Sequence, residues 1–208
     1  MMTLYGRANS SNVRKALWAL DLMGFAYRHD ADWGRGHRSL TEPEFQALSP
    51  FALIPVLRDG EAVIRESHAI LRYLASKARR EDLYPADLAV RAQVEEWMDW
   101  AGAELARASY VAVRKLILRI DLPGGDEAVG ASVREWSAHM RIVDGALEKT
   151  AAYLAGADFT IADIPMGVAV NRWFMAPMDR PDFPALAAYY ERLSLSDVYR
   201  RHVRNGLP

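Results

Sequence analysis

The sequence predicts an α/β domain followed by an all-α domain, and three observations carry that reading. Between Thr3 and His29 a short apolar run, a helical stripe and a second short run follow one another, the order of a parallel βαβ unit. Pro55 to Ser67 reads as a β-hairpin running into a helix. Beyond Asp87 only apolar spacings of three and four remain, the period of amphipathic helices. The expected divisions are residues 1–78 for the α/β domain, 79–87 for a linker and 88–208 for the helical domain.

The first strand is Thr3-Leu4-Tyr5, ended by Gly6, and Arg7 to Asn12 is polar and rich in helix-capping residues. Val13, Ala16, Leu17 and Leu20 then mark a helix that Gly24 stops, and Phe25 to His29 is the second strand. Asp30 to Gln46 is charged and glycine-bearing, a loop with a short helix near Glu42 to Ala47. Pro55 belongs at a strand entry, where its missing N–H costs no ladder bond. Val56-Leu57-Arg58 and Ala62-Val63-Ile64 flank Asp59-Gly60, a dipeptide suited to a tight hairpin turn. Ser67 is placed to cap a helix carrying Ala69, Ile70, Leu71 and Leu74. The resulting order, βαβ then α then ββα, is a thioredoxin-like layout.

Lys77 to Pro85 is charged and closed by a proline, as linkers are. Val90, Val94, Trp97, Ala101, Leu105 and Ala108 then predict one face of a long helix. Pro123-Gly124-Gly125-Asp126 breaks it, and Val129, Val133, Trp136, Met140, Val143 and Leu147 predict a second, antiparallel helix. Further helices start near Thr160 and Phe183-Pro184. Thr160-Ile161-Ala162-Asp163 reads as a capping box with Asp in place of Glu.

Composition narrows the function. The 208 residues are 51% hydrophobic and 25% charged, with a net charge of −1. That is a globular composition without an electrostatic footprint for nucleic acid or anionic membrane. No run approaches the ~18 apolar residues of a membrane span. The start, Met-Met-Thr-Leu-Tyr-Gly, shows no signal-peptide pattern, so a cytoplasmic location is expected. There are no cysteines, so any thiol chemistry uses a thiol that the substrate brings. The five histidines have no metal-ligand spacing, and no Gly-x-Gly-x-x-Gly or Walker run is present, so neither a metal nor a nucleotide cofactor is expected.

Two residue groups carry chemistry. A helix start at Ser67 offers N–H groups to a carboxylate, and Glu66 beside it can hold an ammonium group. With a cis bond at Ile54–Pro55, the Ile54 backbone would turn outward to pair with an extended ligand. Together these suit a peptide with an α-amino acid head.

The Ile54-Pro55 and Glu66-Ser67 pairs, the βαβ-ββα layout and the Thr160–Asp163 box together resemble the cytosolic glutathione S-transferases over nearly the whole chain. Leu4 to Lys15 is similar to the bacterial, serine-using branch related to the theta and beta-like classes. The resemblance implies glutathione as co-substrate, an electrophilic small molecule as second substrate, and a homodimer. It implies conjugation or dehalogenation, with a fold retained as a non-catalytic binding or interaction module as the alternative. Counting back from Arg14 it points to Ser10 as donor to the glutathione sulfur, with Ser11 and Asn12 as competitors. A donor is needed because a free thiol titrates near 8.5 and is only a few per cent ionised at pH 7. The peptide would run along Ile54 and Pro55, its γ-glutamyl head on Glu66 and Ser67. Leu53 departs from the family's polar or basic residue beside the glycyl end, which leaves His37, Arg38 or Arg35 as cations for that carboxylate. Arg107, Tyr110 and Arg114 on the first long helix are candidates for contacting the electrophile.

Overall fold

The computed structural model describes residues 1–208, which form two compact units, Met1–Tyr84 and Pro85–Pro208. The division between them falls inside the charged stretch ahead of Asp87.

The first unit contains strands β1 (Met2–Tyr5), β2 (Tyr27–Asp30), β3 (Val56–Asp59) and β4 (Ala62–Arg65), with helices α1 (Ser11–Leu22), α2 (Pro43–Leu48) and α3 (Ser67–Lys77). The sheet order is β2-β1-β3-β4. β1 runs parallel to β2, with Met2 opposite Tyr27, and antiparallel to β3, with Leu4 opposite Leu57. β3 and β4 form the expected hairpin, Asp59 facing Ala62. Its turn glycine, Gly60, has φ +60, as the tight turn requires. Leu4, Leu57, Val13, Leu17, Ile70 and Leu74 are buried where α1 and α3 pack. A second cluster of Trp33, Phe45 and Val56, joined by Leu40, Leu48 and Ile54, anchors the loop that leads from β2 to β3. The second strand starts two residues later than its aromatic content predicts, because pairing with β1 sets its ends.

The second unit is helical. α4 (Leu88–Trp100) passes through a π-helical segment (Ala101–Leu105) into α5 (Ala106–Ala112), and a second π-helical segment (Val113–Ile117) follows. α6 (Gly125–Thr150), α7 (Asp163–Met175), α8 (Pro184–Leu193) and α9 (Asp197–His202) complete it. The predicted stripe on the first long helix shifts. Val90 is 42% exposed, whereas Met98 and Ala112 are buried beside Val94, Leu105 and Ala108. Next to the second π segment, the Ser132 hydroxyl of α6 accepts from Ala112 N–H at 3.1 Å and donates to Ala108 C=O at 2.6 Å. A side chain inserted into the i to i−4 ladder is a physical cause for local reorganisation of a helix.

The capping box differs in one bond from its prediction. The Asp163 carboxylate accepts from Thr160 N–H at 2.8 Å, but Thr160 Oγ1 accepts from Ala162 N–H at 3.3 Å. Asp163 is fully buried, and its other oxygen accepts from Leu154 N–H and the Tyr189 hydroxyl. Burial outweighs these donors and pushes the carboxyl up to about 6. Because the folded value lies above the unfolded one, the folded state binds the extra proton between about pH 4 and 6. The contribution of Asp163 to stability therefore falls as pH rises through that window and is flat above it. In urea denaturation, Asp163→Asn is expected to remove this slope and to lower stability by about 2–3 kcal/mol at neutral pH, since an amide cannot accept from all these donors. A slope equal to that of the wild type would contradict this assignment.

Candidate functional site

A cavity in the first unit gathers residues that lie far apart in sequence. Asn12 from α1, Ile54 and Pro55 from the β3 entry, and Glu66 and Ser67 from the start of α3 line it together. Each arrives by a local rule. The Ile54–Pro55 bond is cis, and Ile54 stays outside the β1–β3 ladder, which begins at Val56. No hydrogen bond within the chain uses the Ile54 backbone, which leaves its N–H and C=O open to an added strand.

Glycine at two positions makes room for Ile54. A Cβ on Gly6, at φ +131, would lie 2.8 Å from Val13 Cγ2 and 2.9 Å from Ile54 Cβ. A Cβ on Gly34, at φ +112, would lie 3.0 Å from Ile54 Cδ1. The β1–α1 turn and the loop after β2 thus close on both sides of this one side chain.

Glu66 has φ +66, a left-handed conformation costly for a residue with a Cβ. Its side chain makes no capping bond to α3, and its carboxylate has no ion-pair partner in the chain. Ser67 is 6% exposed, begins the helix and lines the cavity. Ser67 is therefore the first helical residue, and Glu66 holds the N-cap position assigned to Ser67 from sequence. The N–H groups of the first turn of α3 stay available, and no acidic residue lies within that turn to neutralise it.

The start of α1 is open in the same way. Ser10 is its N-cap, with φ −75 and ψ 127, yet its hydroxyl makes no capping bond, and the first turn holds no acid. By contrast, Asp87 and Ser196 do cap α4 and α9 through their side chains. Ser11 is the first helical residue. Of the three sulfur-donor candidates Asn12 alone lines the cavity. Its Oδ1 accepts from Lys15 Nζ at 3.0 Å, and that ammonium also lies 3.1 Å from His68 Nε2 on α3. Lysine is only a donor, so the Asn12 carboxamide must turn its oxygen to Lys15 and its NH2 elsewhere.

The cations named for the glycyl carboxylate are occupied to different degrees. Arg38 donates to Glu42 at 2.6 Å and Glu44 at 2.5 Å and lies over the Trp33 ring at 3.9 Å. These pairs hold Glu42 below the usual carboxylate range. His37 Nδ1 lies 3.3 Å from Asp32 Oδ1. Arg35 is exposed and makes no ion pair. Sequence reasoning missed Arg65 and Ser49, which line the cavity as well; Arg65 Nε donates to Leu48 C=O at 2.7 Å. The end of β4 points Arg65 there through its pairing with Val56, a relation that only the hairpin register reveals.

In the second unit, Arg107 bridges Glu104 at 3.1 Å and Glu135 at 2.7 Å. Tyr110 is 52% exposed, and the Arg114 guanidinium lies 5.2 Å from its ring. No group of His, Cys, Asp and Glu is arranged to hold a metal ion, and no helix is long and apolar enough to cross a membrane.

A thioredoxin-like sheet that carries an open Ile54 backbone, an unpaired acid and two uncapped helix starts, followed in the chain by a helical domain, defines the class of the protein. The comparisons give that class a family. The model of the glutathione S-transferase N-terminal domain matches residues 4–82, and that of the C-terminal domain matches residues 122–192. Glutathione S-transferase GstB of Escherichia coli K12 is 31% identical over 208 residues, covering 98% of each chain. Glutathione S-transferase 3 of Zea mays is 36% identical over 166 residues, covering 78% of this chain and 73% of its own. The theta class glutathione S-transferase from Xanthomonas axonopodis pv. citri, solved with glutathione bound, superposes with a TM-score of 0.92. It shares 36% identity and covers 100% of this chain and 99% of its own. The chain belongs to the glutathione S-transferase family. Its activity class is glutathione transferase and its co-substrate is glutathione.

Proposed function

We propose that the chain binds glutathione along Ile54 and activates its thiol for attack on an electrophilic small molecule. The convergence of Asn12, Ile54, Pro55, Glu66 and Ser67 on one cavity carries this reading. The Cys backbone of the peptide pairs with the Ile54 N–H and C=O. The γ-glutamyl carboxylate accepts from the Ser67 hydroxyl and the first N–H groups of α3, and the ammonium group meets Glu66. Arg65 is the cation inside the cavity for a peptide carboxylate, a place that Arg38 cannot take while Glu42 and Glu44 hold it.

The sulfur lies at the start of α1, where Ser10 donates a hydrogen bond to the thiolate and the helix N-terminus favours negative charge. The thiolate then attacks an electrophilic carbon. A C–S bond forms, the bond to a halide or other leaving group breaks, and that group departs with the electron pair. Within the second unit Arg107 is engaged by Glu104 and Glu135, while the Arg114 guanidinium lies beside the Tyr110 ring. The protein acts as a homodimer in the cytoplasm, in keeping with its family. Nothing in the site or among the relatives favours a non-catalytic module.

Calorimetric titration with glutathione tests the reading. Glu66→Gln is expected to weaken binding about tenfold, because a charge-assisted bond to the ammonium group is lost. Ser67→Ala is expected to act in the same direction. Wild-type protein that fails to bind glutathione at millimolar concentration would overturn the proposal.

A further inference from the structure

We propose that Arg7 and Arg35 form a carboxylate-binding subsite beside Ile54, on the turn that leads into α1. The inference rests on the glutathione reading above and adds a ligand class to the same site.

The two arginines come together through the backbone. Arg7 N–H donates to Trp33 C=O at 2.9 Å, which lays the β1–α1 turn against the loop holding Gly34 and Arg35. The Arg7 side chain runs across Gly34, where an added Cβ would sit 3.4 Å from Arg7 Cδ and 3.6 Å from Nε. That Cβ would also meet Ile54 Cδ1 at 3.0 Å, so Arg7 and Ile54 flank one glycine. Arg7 C=O accepts from Ser10 N–H at 3.1 Å, which puts the pair one turn from the proposed sulfur position.

The charges here are uncompensated, unlike those nearby. Arg28 pairs with Asp30, His37 with Asp32, and Arg38 with Glu42 and Glu44. Arg7 donates only to the neutral Asn9 carboxamide, and its Nε is buried without a partner. Arg35 has no acidic partner and opposes Arg7; burial, then this like charge, lowers the affinity of Arg7 for its proton. Two like charges on neighbouring turns without an anion repel, and a bound carboxylate relieves that repulsion. Guanidinium matches a carboxylate in a bidentate fork. The carboxylate is one carried by the electrophile, since Arg65 inside the cavity serves the peptide's own.

The test compares kcat/KM for chlorodinitrobenzene and for chlorodinitrobenzoate, which adds one ring carboxylate. Arg35 is exposed, so Arg35→Gln leaves the core intact; Arg7→Met is the second variant. If the electrophile supplies the carboxylate, each variant lowers the benzoate-to-benzene ratio of kcat/KM about tenfold. If glutathione supplies it, that ratio holds. The KM for glutathione then rises about tenfold while that for its glycyl ethyl ester does not. The first pattern supports the subsite; the second assigns the arginines to the glycyl end of glutathione and overturns it. No change of either kind in both variants overturns it. A wild type that turns over chlorodinitrobenzene while both variants keep every ratio leaves the glutathione reading standing and removes this one. A wild type inactive on chlorodinitrobenzene that binds no glutathione removes both.

Discussion

Replacing Ser10 with alanine is expected to raise the thiol pKa of bound glutathione by about 1–2 units, equivalent to about 1.4–2.7 kcal/mol of lost thiolate stabilisation. Ser10 occupies the N-cap of α1 with extended backbone angles, yet its hydroxyl satisfies no N–H of the first turn. A capping serine normally bonds the second or third N–H of its helix, so an idle one is free to donate elsewhere. A hydroxyl that donates to S⁻ stabilises the ionised thiol over the protonated one, and the uncapped helix start adds to this. The pH dependence follows. A depressed pKa increases the thiolate fraction most at pH values below the free-thiol value, so Ser10→Ala should lose roughly 10- to 100-fold in kcat/KM near pH 6.5. The difference should shrink as pH rises past about 9, where glutathione ionises unaided. Absorbance of the thiolate near 240 nm, titrated on the complexes of wild type, Ser10→Ala, Ser11→Ala and Asn12→Ala, reads the effect directly. If Asn12→Ala raised the pKa and Ser10→Ala did not, the donor would be the carboxamide that Lys15 orients.

Gly6→Ala is expected to destabilise the protein by about 2–4 kcal/mol and to abolish measurable glutathione affinity. Two independent costs add at this position. The backbone sits at φ +131, which residues with a Cβ rarely adopt. The new methyl would also lie 2.9 Å from Ile54 Cβ and 2.8 Å from Val13 Cγ2, and neither contact is the end of a flexible chain. Val13 is buried with 0% exposure and belongs to the core under α1, so it has no room to retreat. Ile54 is the side able to move, and its movement would displace the backbone groups on which the peptide is proposed to lie. Urea denaturation and glutathione titration measured together separate the two consequences. A variant of wild-type stability that binds glutathione normally would refute the steric argument. Gly24→Ala is a suitable reference for the backbone cost alone, because nothing lies within 4 Å of its added Cβ at φ +71.

The features legible in the sequence share one property: their signals are local. Asp59-Gly60 between two apolar runs specifies the hairpin, because a two-residue turn needs positive φ that glycine supplies. Spacings of three and four mark Trp136, Met140, Val143 and Leu147, all buried on α6. Ile54-Pro55 and Glu66-Ser67 mark one wall of the cavity through motif spacing. Features that depend on a neighbour far along the chain are not legible in this way. Val90 fits the apolar stripe by spacing yet is 42% exposed, and Ser132 enters the ladder of that helix from α6. Arg38 reads as a free cation by composition, but the loop brings Glu42, Glu44 and Trp33 around it. Arg65 carries no sequence signal at all, since its place in the cavity depends on pairing with Val56 and on reaching the Leu48 carbonyl.

Periodicity, turn chemistry and motif spacing are therefore sufficient for the order of elements, the two-part architecture and several of the residues that share one cavity. They are sufficient because each depends on bonds and steric limits within a few residues. The charge state of the site is decided elsewhere. Which arginines are neutralised, which stand opposed, and which helix starts remain uncapped depend on partners as far as 53 positions away, as Lys15 with His68 shows. Coulomb interaction depends on distance in space and on burial, and only the folded chain sets either.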